Sequence, residues 1–149
     1  MSNGISRVSN LQYAALPWRR NAGALEILLI TTRNTRRWII PKGWPVDGCT
    51  PAQCAAQEAL EEAGVAGEVL EEMFGHFRYN KERKSGEIVP CIVRVFTMEV
   101  AEQRDDWIEK GEREILWCSL SEALARVKEP GLRRLIAKFG KQQLFVSAA

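Results

Sequence analysis

The stretch Gly43–Val65 reads GWPVDGCTPAQCAAQEALEEAGV, and it decides the fold because both ends of one helix are marked within it. Thr50 predicts the N-cap, Pro51 suits the first helical position, and Gln53 lies three residues after Thr50, as a capping box requires. Gly64 predicts a left-handed stop at the C-terminal end. The stretch therefore predicts a loop, a helix that starts at Pro51 and ends just before Gly64, and a second loop.

The predicted helix has one acidic and one apolar face. Glu58, Glu61 and Glu62 are spaced three and four residues apart, so their carboxylates are expected to converge. A hard divalent cation such as Mg²⁺ would remove the repulsion between them, since it prefers carboxylate oxygen. The alternative interpretation is an acidic face that is simply solvated. The opposite arc consists of small or apolar residues: Ala52, Ala56, Ala59, Leu60 and Ala63.

The remainder of the chain predicts an α+β fold, with a mixed β-sheet packed between helices. We expect a single domain over residues 1–149, which is long enough to bury a sizeable core. The predicted strands or extended segments are Leu25–Thr32, Trp38–Ile40, Val65–Tyr79, Ile88–Val100 and Ile115–Cys118. Two further helices are expected, one at Glu122–Val127 capped by Ser121 and one at Leu132–Phe139 ended by Gly140.

Composition limits the class of protein and its partners. A net charge of +2 gives no strong sign of nucleic-acid binding. No apolar run approaches the roughly 18 residues that span a bilayer, and the polar residues 1–10 do not resemble a secretory signal. The four cysteines form no C-x-x-C pair, which argues against a zinc site. We therefore expect a cytoplasmic protein with reduced thiols and no membrane partner.

The stretch Gly43–Val65 resembles the Nudix box, G-x5-E-x7-R-E-U-x-E-E-x-G-U, where U is apolar. The matching residues, at the required spacing, are Gly43, Glu58, Ala59, Glu61, Glu62, Gly64 and Val65. The resemblance implies the Nudix α/β/α sandwich, whose loop–helix–loop motif carries the catalytic residues. It also implies a Mg²⁺ or Mn²⁺ cofactor and attack by water on a phosphorus of a diphosphate-linked substrate.

Two positions depart from the box: Cys49 stands in place of glutamate and Gln57 in place of arginine. The resemblance implies that these positions lie near each other and help to orient the metal-binding glutamate. Because an acid and a base are lost together, the local sum of charges is unchanged. The pair is consistent with a preserved fold, and equally with weaker positioning of Glu58 and reduced activity.

The resemblance also implies roles for individual carboxylates. Glu58 and Glu62 would be the principal metal ligands. Glu61 would be a further metal ligand or the base that deprotonates water. Glu58 would also be a catalytic residue. A base outside the box remains an alternative, because a late loop and its edge carry further acids: Glu109, Glu112 and Glu114.

Basic residues cluster before and after the box. Arginine is well suited to bidentate contacts with phosphate. The segments ILLITTRNTRRWIIPKG, YNKERK and DDWIEKGEREILWCSLSEAL are similar to the diphosphoinositol polyphosphate phosphohydrolase branch, whose related enzymes also cleave diadenosine polyphosphates. Together these features predict a phosphate-rich small-molecule substrate, bound by Thr31, Thr32, Arg33, Arg37, Lys42, Arg83 and Lys84.

The aromatic residues and the single histidine divide between candidate binding residues and structural residues. Trp44, in the loop that opens the box, is the candidate for stacking on a nucleobase. Trp38 and Trp117 lie within apolar strands and are predicted to be core residues. His76 is predicted to be structural rather than catalytic.

Two rival functions stay open at this point. The first is a catalytically weak or silent Nudix-fold module that binds nucleotides or polyphosphates, which would keep the basic clusters without needing the acidic triad. The second is a protein-interaction domain that uses the fold as a scaffold and would display a sizeable apolar patch. The protein is expected to be a monomer or a homodimer.

Overall fold

The computed structural model describes residues 10–148, which form one eight-stranded sheet and three helices. The strands are β1 (Leu11–Asn21), β2 (Ala24–Thr31), β3 (Trp38–Ile39), β4 (Lys42–Gly43), β5 (Val65–Val69), β6 (Gly75–Glu82), β7 (Ile88–Gln103) and β8 (Ile115–Cys118). The helices are α1 (Pro51–Ala63), α2 (Leu120–Arg126) and α3 (Pro130–Ala148). No helix within residues 10–148 is long and apolar enough to cross a membrane.

The sheet is mixed, as predicted. Its main path runs β3-β2-β1-β7-β5, while β4 pairs with β1, β6 with β7 and β8 with β2. Among the strands of residues 10–148, only the central pair β1–β7 is parallel, over the register Leu11–Trp18 against Ile92–Glu99. The other six pairings are antiparallel. Helix α1 packs on one face and helices α2 and α3 on the other, which confirms the predicted sandwich.

Helix α1 begins and ends where its caps predict. The Thr50 side chain accepts the Gln53 N–H at 3.1 Å, and the Gln53 side chain accepts the Thr50 N–H at 2.9 Å. Gly64 ends the helix with φ +69°. Ala52, Ala55, Ala59 and Ala63 are fully buried against the sheet. These short side chains let the helix pack close to β1, and this packing sets the distance between the acidic face of the helix and the sheet.

Strand β1 was not predicted from the sequence. Ala14, Ala15 and Leu16 are all fully buried, so both faces of the strand are covered and the usual alternation of polar and apolar residues is absent. The strand also contains Pro17, which pairs with Met98 of β7. It falls between the residues paired with β4 and those paired with β2, where the missing N–H of proline is tolerated.

Several predicted bounds were wrong. The segment predicted as extended over Val65–Tyr79 is two strands, β5 and β6, and β7 continues to Gln103. The cap of α2 is Ser119, not Ser121: the Ser119 hydroxyl accepts the Glu122 N–H at 3.2 Å, and the Glu122 carboxylate accepts the Ser119 N–H at 3.0 Å. Ser119 and Glu122 therefore form a capping box one residue after β8.

The end predicted for the last helix was also wrong. Helix α3 begins at Pro130 and continues past Gly140 to Ala148. Gly140 lies against the side chain of Leu120 in α2, and a Cβ added there would overlap that side chain. This glycine permits a close helix–helix contact and does not end the helix.

Candidate active site

The acidic face of α1 meets the short strand β4. The Glu58 carboxylate lies directly against Gly43, and a Cβ at position 43 would overlap the carboxyl carbon. The Glu62 carboxylate accepts the backbone N–H of Lys42 at 3.2 Å and is only 5% exposed. Gly43 therefore makes room for one carboxylate, and the backbone of Lys42 orients the other.

Burial dominates the protonation of this carboxylate pair. It raises the pKa of Glu62 to about 8, although the nearby Arg113 guanidinium opposes the rise. Burial also raises the pKa of Glu58, and the charge of Glu61 adds to the effect. The buried Glu62 carboxylate and the half-buried Glu58 carboxylate, both with raised pKa values, lack sufficient positive charge around them. A divalent cation would supply that charge and keep both groups ionised, so this donor set fits Mg²⁺ or Mn²⁺.

Glu61 has a separate set of contacts. Its carboxylate accepts a hydrogen bond of 2.6 Å from Gln57 Nε2, one helical turn earlier. Its backbone carbonyl accepts the Glu109 N–H at 3.0 Å. Within residues 10–148, no group of three acidic, histidine or cysteine side chains is arranged to hold a metal ion. The structure thus places Glu58 and Glu62 as a pair, with Glu61 turned towards Gln57.

The two departures from the box lie in different surroundings. Gln57 is exposed on α1 and holds Glu61, whereas the resemblance implied an influence on Glu58. Cys49 is exposed in the loop before α1, where its N–H donates to the Val46 carbonyl at 3.2 Å. Both positions are therefore neutral and solvent-accessible.

Arg113 belongs to the site but was not predicted from the sequence. Its side chain is 10% exposed and forms ion pairs with Glu62 at 3.5 Å and with Glu109 at 3.0 Å. A third nitrogen donates to the Thr31 carbonyl at 3.0 Å. Nothing in the sequence of the turn Gly111-Glu112-Arg113 shows that Arg113 points inward while Glu112 pairs with Arg33 at the surface.

A basic cavity of about 1100 Å³, including its open mouth, lies beside Glu62. It brings together six of the seven residues predicted to bind phosphate: Thr32, Arg33, Arg37, Lys42, Arg83 and Lys84. Arg113, Tyr79 and Lys81 line it as well. The basic segments before and after the box, distant in sequence, thus face one another across a single opening.

The seventh predicted phosphate contact, Thr31, has a different place. It is 1% exposed, and its hydroxyl accepts the backbone N–H of Glu114 at 3.0 Å. Arg36 also donates to it at 3.5 Å. Its hydroxyl therefore supports the start of β8 rather than facing the cavity.

An inner chamber of about 700 Å³, including its opening to solvent, adjoins the basic cavity and shares Thr32, Arg37, Ile39, Lys42, Tyr79 and Asn80 with it. Its additional walls are mainly apolar and come from Trp38, Phe77 and Leu132, with Lys128 and Glu129 at the edge. Burial lowers the pKa of Lys42, at the junction of the two spaces, to about 8, although Glu62 opposes this fall.

The tryptophans divide between core and surface. Trp38 and Trp117 are partly buried against the two core clusters, in line with the core prediction, although Trp38 also lines the inner chamber. Trp44 is 41% exposed and its ring lies 4.9 Å from Lys81 Nζ. The ring of Trp107 covers Gly64, where any side chain would overlap it. His76 is exposed on β6, outside both cavities.

Comparison with known proteins identifies the family. The family model described as the NUDIX domain matches residues 11–139. Nudix hydrolase 12, mitochondrial, of Arabidopsis thaliana is 30% identical over 118 residues, which cover 77% of this chain and 58% of that protein. Diphosphoinositol polyphosphate phosphohydrolase 3-beta of Bos taurus is 35% identical over 83 residues, covering 55% of this chain and 46% of that protein.

A solved structure agrees in fold. The C. elegans Ap4A hydrolase, determined as a binary complex, superposes with a TM-score of 0.66 at 22% identity, covering 93% of this chain and 98% of that one. The chain spans little more than half the length of the first curated relatives that it matches. The match of the domain model over residues 11–139 and the fold around Glu58 and Glu62 lead to one conclusion: this chain belongs to the Nudix family.

Proposed function

We propose that this protein is a metal-dependent hydrolase that cleaves a diphosphate bond in a polyphosphorylated small molecule. One observation carries the proposal: the paired carboxylates of Glu58 and Glu62 adjoin a cavity lined with arginine and lysine, and Glu62 belongs to both. Acidic and basic groups at one opening suit a polyanion bound together with a divalent cation.

Glu58 and Glu62 would hold Mg²⁺ or Mn²⁺, and Glu61 would become a further ligand only by leaving its hydrogen bond with Gln57 Nε2. When bound, the ion neutralises phosphate oxygens and lowers the pKa of a coordinated water. The chain's own contribution is to keep the two carboxylates together. Gly43 leaves space for Glu58, and the Lys42 N–H fixes one oxygen of Glu62.

The proton of the attacking water needs an acceptor, and Glu61 and Glu109 are the two candidates. Glu109 pairs with Arg113 beside Glu62, and its N–H contacts the backbone of Glu61, so both candidates lie on the same side of the site. Glu112 pairs instead with Arg33 at the surface, at 3.2 Å. Glu109 is therefore the better candidate among the late acids.

The substrate's phosphates would bind the basic cavity, where Thr32, Arg33, Arg37, Arg83 and Lys84 offer donors on opposite walls. Diphosphoinositol polyphosphates and diadenosine polyphosphates are the two proposed substrate classes, and the names of the relatives include both.

A catalytically weak or silent binding module is the second candidate function, because neutral Cys49 and Gln57 replace the acid and base of the box. The cytoplasmic location and a monomeric or homodimeric state stay predictions.

A phosphate-release screen with Mg²⁺ or Mn²⁺ tests the proposal over four classes: diphosphoinositol polyphosphates, dinucleoside polyphosphates, nucleoside triphosphates and nucleotide sugars. We expect turnover of at least one, and a loss of at least about 100-fold in Glu62→Gln, since a ligand and its charge are removed. The matched control is Glu68→Gln, an exposed glutamate on β5 that should retain full activity.

Two results would contradict the mechanism: turnover that persists in EDTA, or an undiminished rate in a folded Glu62→Gln variant. Tight polyphosphate binding without any turnover would instead favour the silent module. Thermal melts of both variants establish that a lost rate is not a lost fold.

A further inference from the structure

A chain of hydrogen-bonded side chains, from buried Gln12 through the partly buried Tyr79 to Lys42, leads from the sheet to the wall of the basic cavity. The Lys42 ammonium contacts the Tyr79 hydroxyl at 3.2 Å and lies 4.8 Å from the centre of its ring. The Tyr79 hydroxyl donates to the Gln12 side-chain oxygen at 2.8 Å. Gln12 is only 3% exposed, so this polar group lies within the core and is satisfied there.

The direction of these hydrogen bonds is determined by their chemistry. An ammonium group has three donors and no acceptor, and a phenol has one donor with lone pairs to spare. Because the Tyr79 proton is used on Gln12, a lone pair of the hydroxyl is available to Lys42. One of the three ammonium N–H groups is thus engaged, and the other two remain for the cavity that Lys42 lines.

The backbone holds all three side chains at fixed places. Gln12 lies on β1 opposite Val93 of β7, and Tyr79 lies on β6 opposite Cys91 of β7. Strand β7 therefore lies between the two residues and fixes their relative position. Lys42 lies on β4, next to Ala14 of β1. A lysine on a solvated turn loses rotamer freedom when it binds an anion, whereas this one is already held.

We infer that Tyr79 and Gln12 are positioning residues, which hold the Lys42 ammonium against the basic cavity so that it binds a phosphate group of the substrate. The inference rests on the phosphate-binding role proposed for Lys42. It assigns a function to two side chains that belong neither to the Nudix box nor to the basic clusters. Tyr79 also lines the cavity, whereas Gln12 acts entirely through Tyr79.

The test uses inorganic tripolyphosphate, a probe with phosphate groups alone, and isothermal titration calorimetry in EDTA. Tyr79→Phe keeps the ring and removes only the hydroxyl, and we expect its Kd to rise roughly tenfold, as for a lost hydrogen bond to a charged group. Tyr13→Phe is the matched control, because this other tyrosine packs on Phe96 on the opposite face of the sheet. The control should bind as the wild type does.

A double-mutant cycle separates positioning from general damage. In a Lys42→Met background, Tyr79→Phe should produce no further loss of tripolyphosphate binding, since it has no ammonium left to position. If Tyr79→Phe does not fold, Gln12→Met interrupts the same chain and is expected to weaken binding in the same direction. In an active enzyme the loss should appear in KM for the polyphosphate more than in kcat.

Three results would overturn the inference: unchanged binding in folded Tyr79→Phe, an equal loss with and without Lys42, or no binding of tripolyphosphate by the wild type. The outcome is independent of turnover. A protein that hydrolyses nothing, but binds tripolyphosphate and shows the coupling between Tyr79 and Lys42, would refute the proposed activity and support the positioning chain.

Discussion

The ion pair between Arg113 and Glu62 differs in kind from the pairs on the surface. Both side chains are at most 10% exposed, so their charges are largely removed from water. The pair of Arg33 with Glu112 is about half exposed and is screened by solvent. Removal of one member of a buried pair leaves an uncompensated charge, which costs far more than breaking a surface contact.

Arg113→Met should therefore lower the free energy of unfolding by about 3 kcal/mol at pH 9, where Glu62, whose pKa is about 8, carries its charge. The matched control Arg33→Met should cost at most about 1 kcal/mol. Urea denaturation followed by circular dichroism measures both values. Equal losses in the two variants would show that Arg113 does not compensate the buried carboxylates.

Residue roles could be predicted from the sequence where they follow from local spacing. Glu58 and Glu62 share a helical face at i and i+4, and the structure brings their carboxylates together. Arg113 lies 51 residues beyond Glu62, and no local pattern distinguishes it from its neighbours. For Thr31 the sequence led to a wrong prediction. Its position in the chain predicted a phosphate contact, but its hydroxyl accepts the backbone N–H of Glu114.

At the scale of elements, helix α2 has two serines near its N-terminus that could serve as its N-cap. Ser119 and Ser121 both precede or begin the helix, but only Ser119 has Glu122 three residues later. Its hydroxyl and that carboxylate satisfy two backbone N–H groups that the helix cannot pair internally. Ser121 lies inside the first turn, where its hydroxyl contacts Ser119 alone.

Ser119→Ala is expected to lower the free energy of unfolding by about 1 kcal/mol, as for other lost N-caps. Ser121→Ala is the control and should change it by less than about 0.5 kcal/mol, since alanine is favoured within a helix. Thermal denaturation of both variants measures the difference. A larger loss of unfolding free energy in Ser121→Ala than in Ser119→Ala would show that Ser121, as predicted from the sequence, is the N-cap.

The contrast between α1 and β1 explains which elements were predictable. Helix α1 is bounded by signals within a few residues of each end, so its bounds at Pro51 and Ala63 agree with the sequence. Strand β1 is defined by its parallel pairing with β7 in the second half of the chain. Parallel strands buried on both faces lack alternation, and no local signal replaces it.

At the scale of the whole molecule, the sheet brings three distant segments to one opening. The loop after β2, strand β4 and the end of β6 supply basic side chains, while α1 supplies the carboxylates across them. The single domain over residues 1–149 stays a prediction, since the described residues are 10–148. The charge arrangement couples the stability of the molecule to metal binding and to pH.

In the metal-free protein, the raised pKa of Glu62, about 8 against an ordinary 4.5, makes folding less favourable as pH increases. Between these values the unfolded chain releases the proton and the folded chain retains it, so the unfolded state binds fewer protons and stability falls. The raised pKa of Glu58 acts in the same direction. Mg²⁺ competes with these protons for the same carboxylates.

The increase in Tm produced by a saturating concentration of Mg²⁺ should therefore be larger at pH 8 than at pH 5.5, because the folded state binds the ion more tightly once the protons are lost. Differential scanning fluorimetry at both pH values, with EDTA as the reference, measures it. Glu62→Gln should abolish most of the Mg²⁺ effect at pH 8 and flatten the pH dependence of the metal-free Tm, whereas Glu68→Gln should change neither. An equal Mg²⁺ shift at the two pH values, or a full shift in Glu62→Gln, would place the ion away from the buried pair.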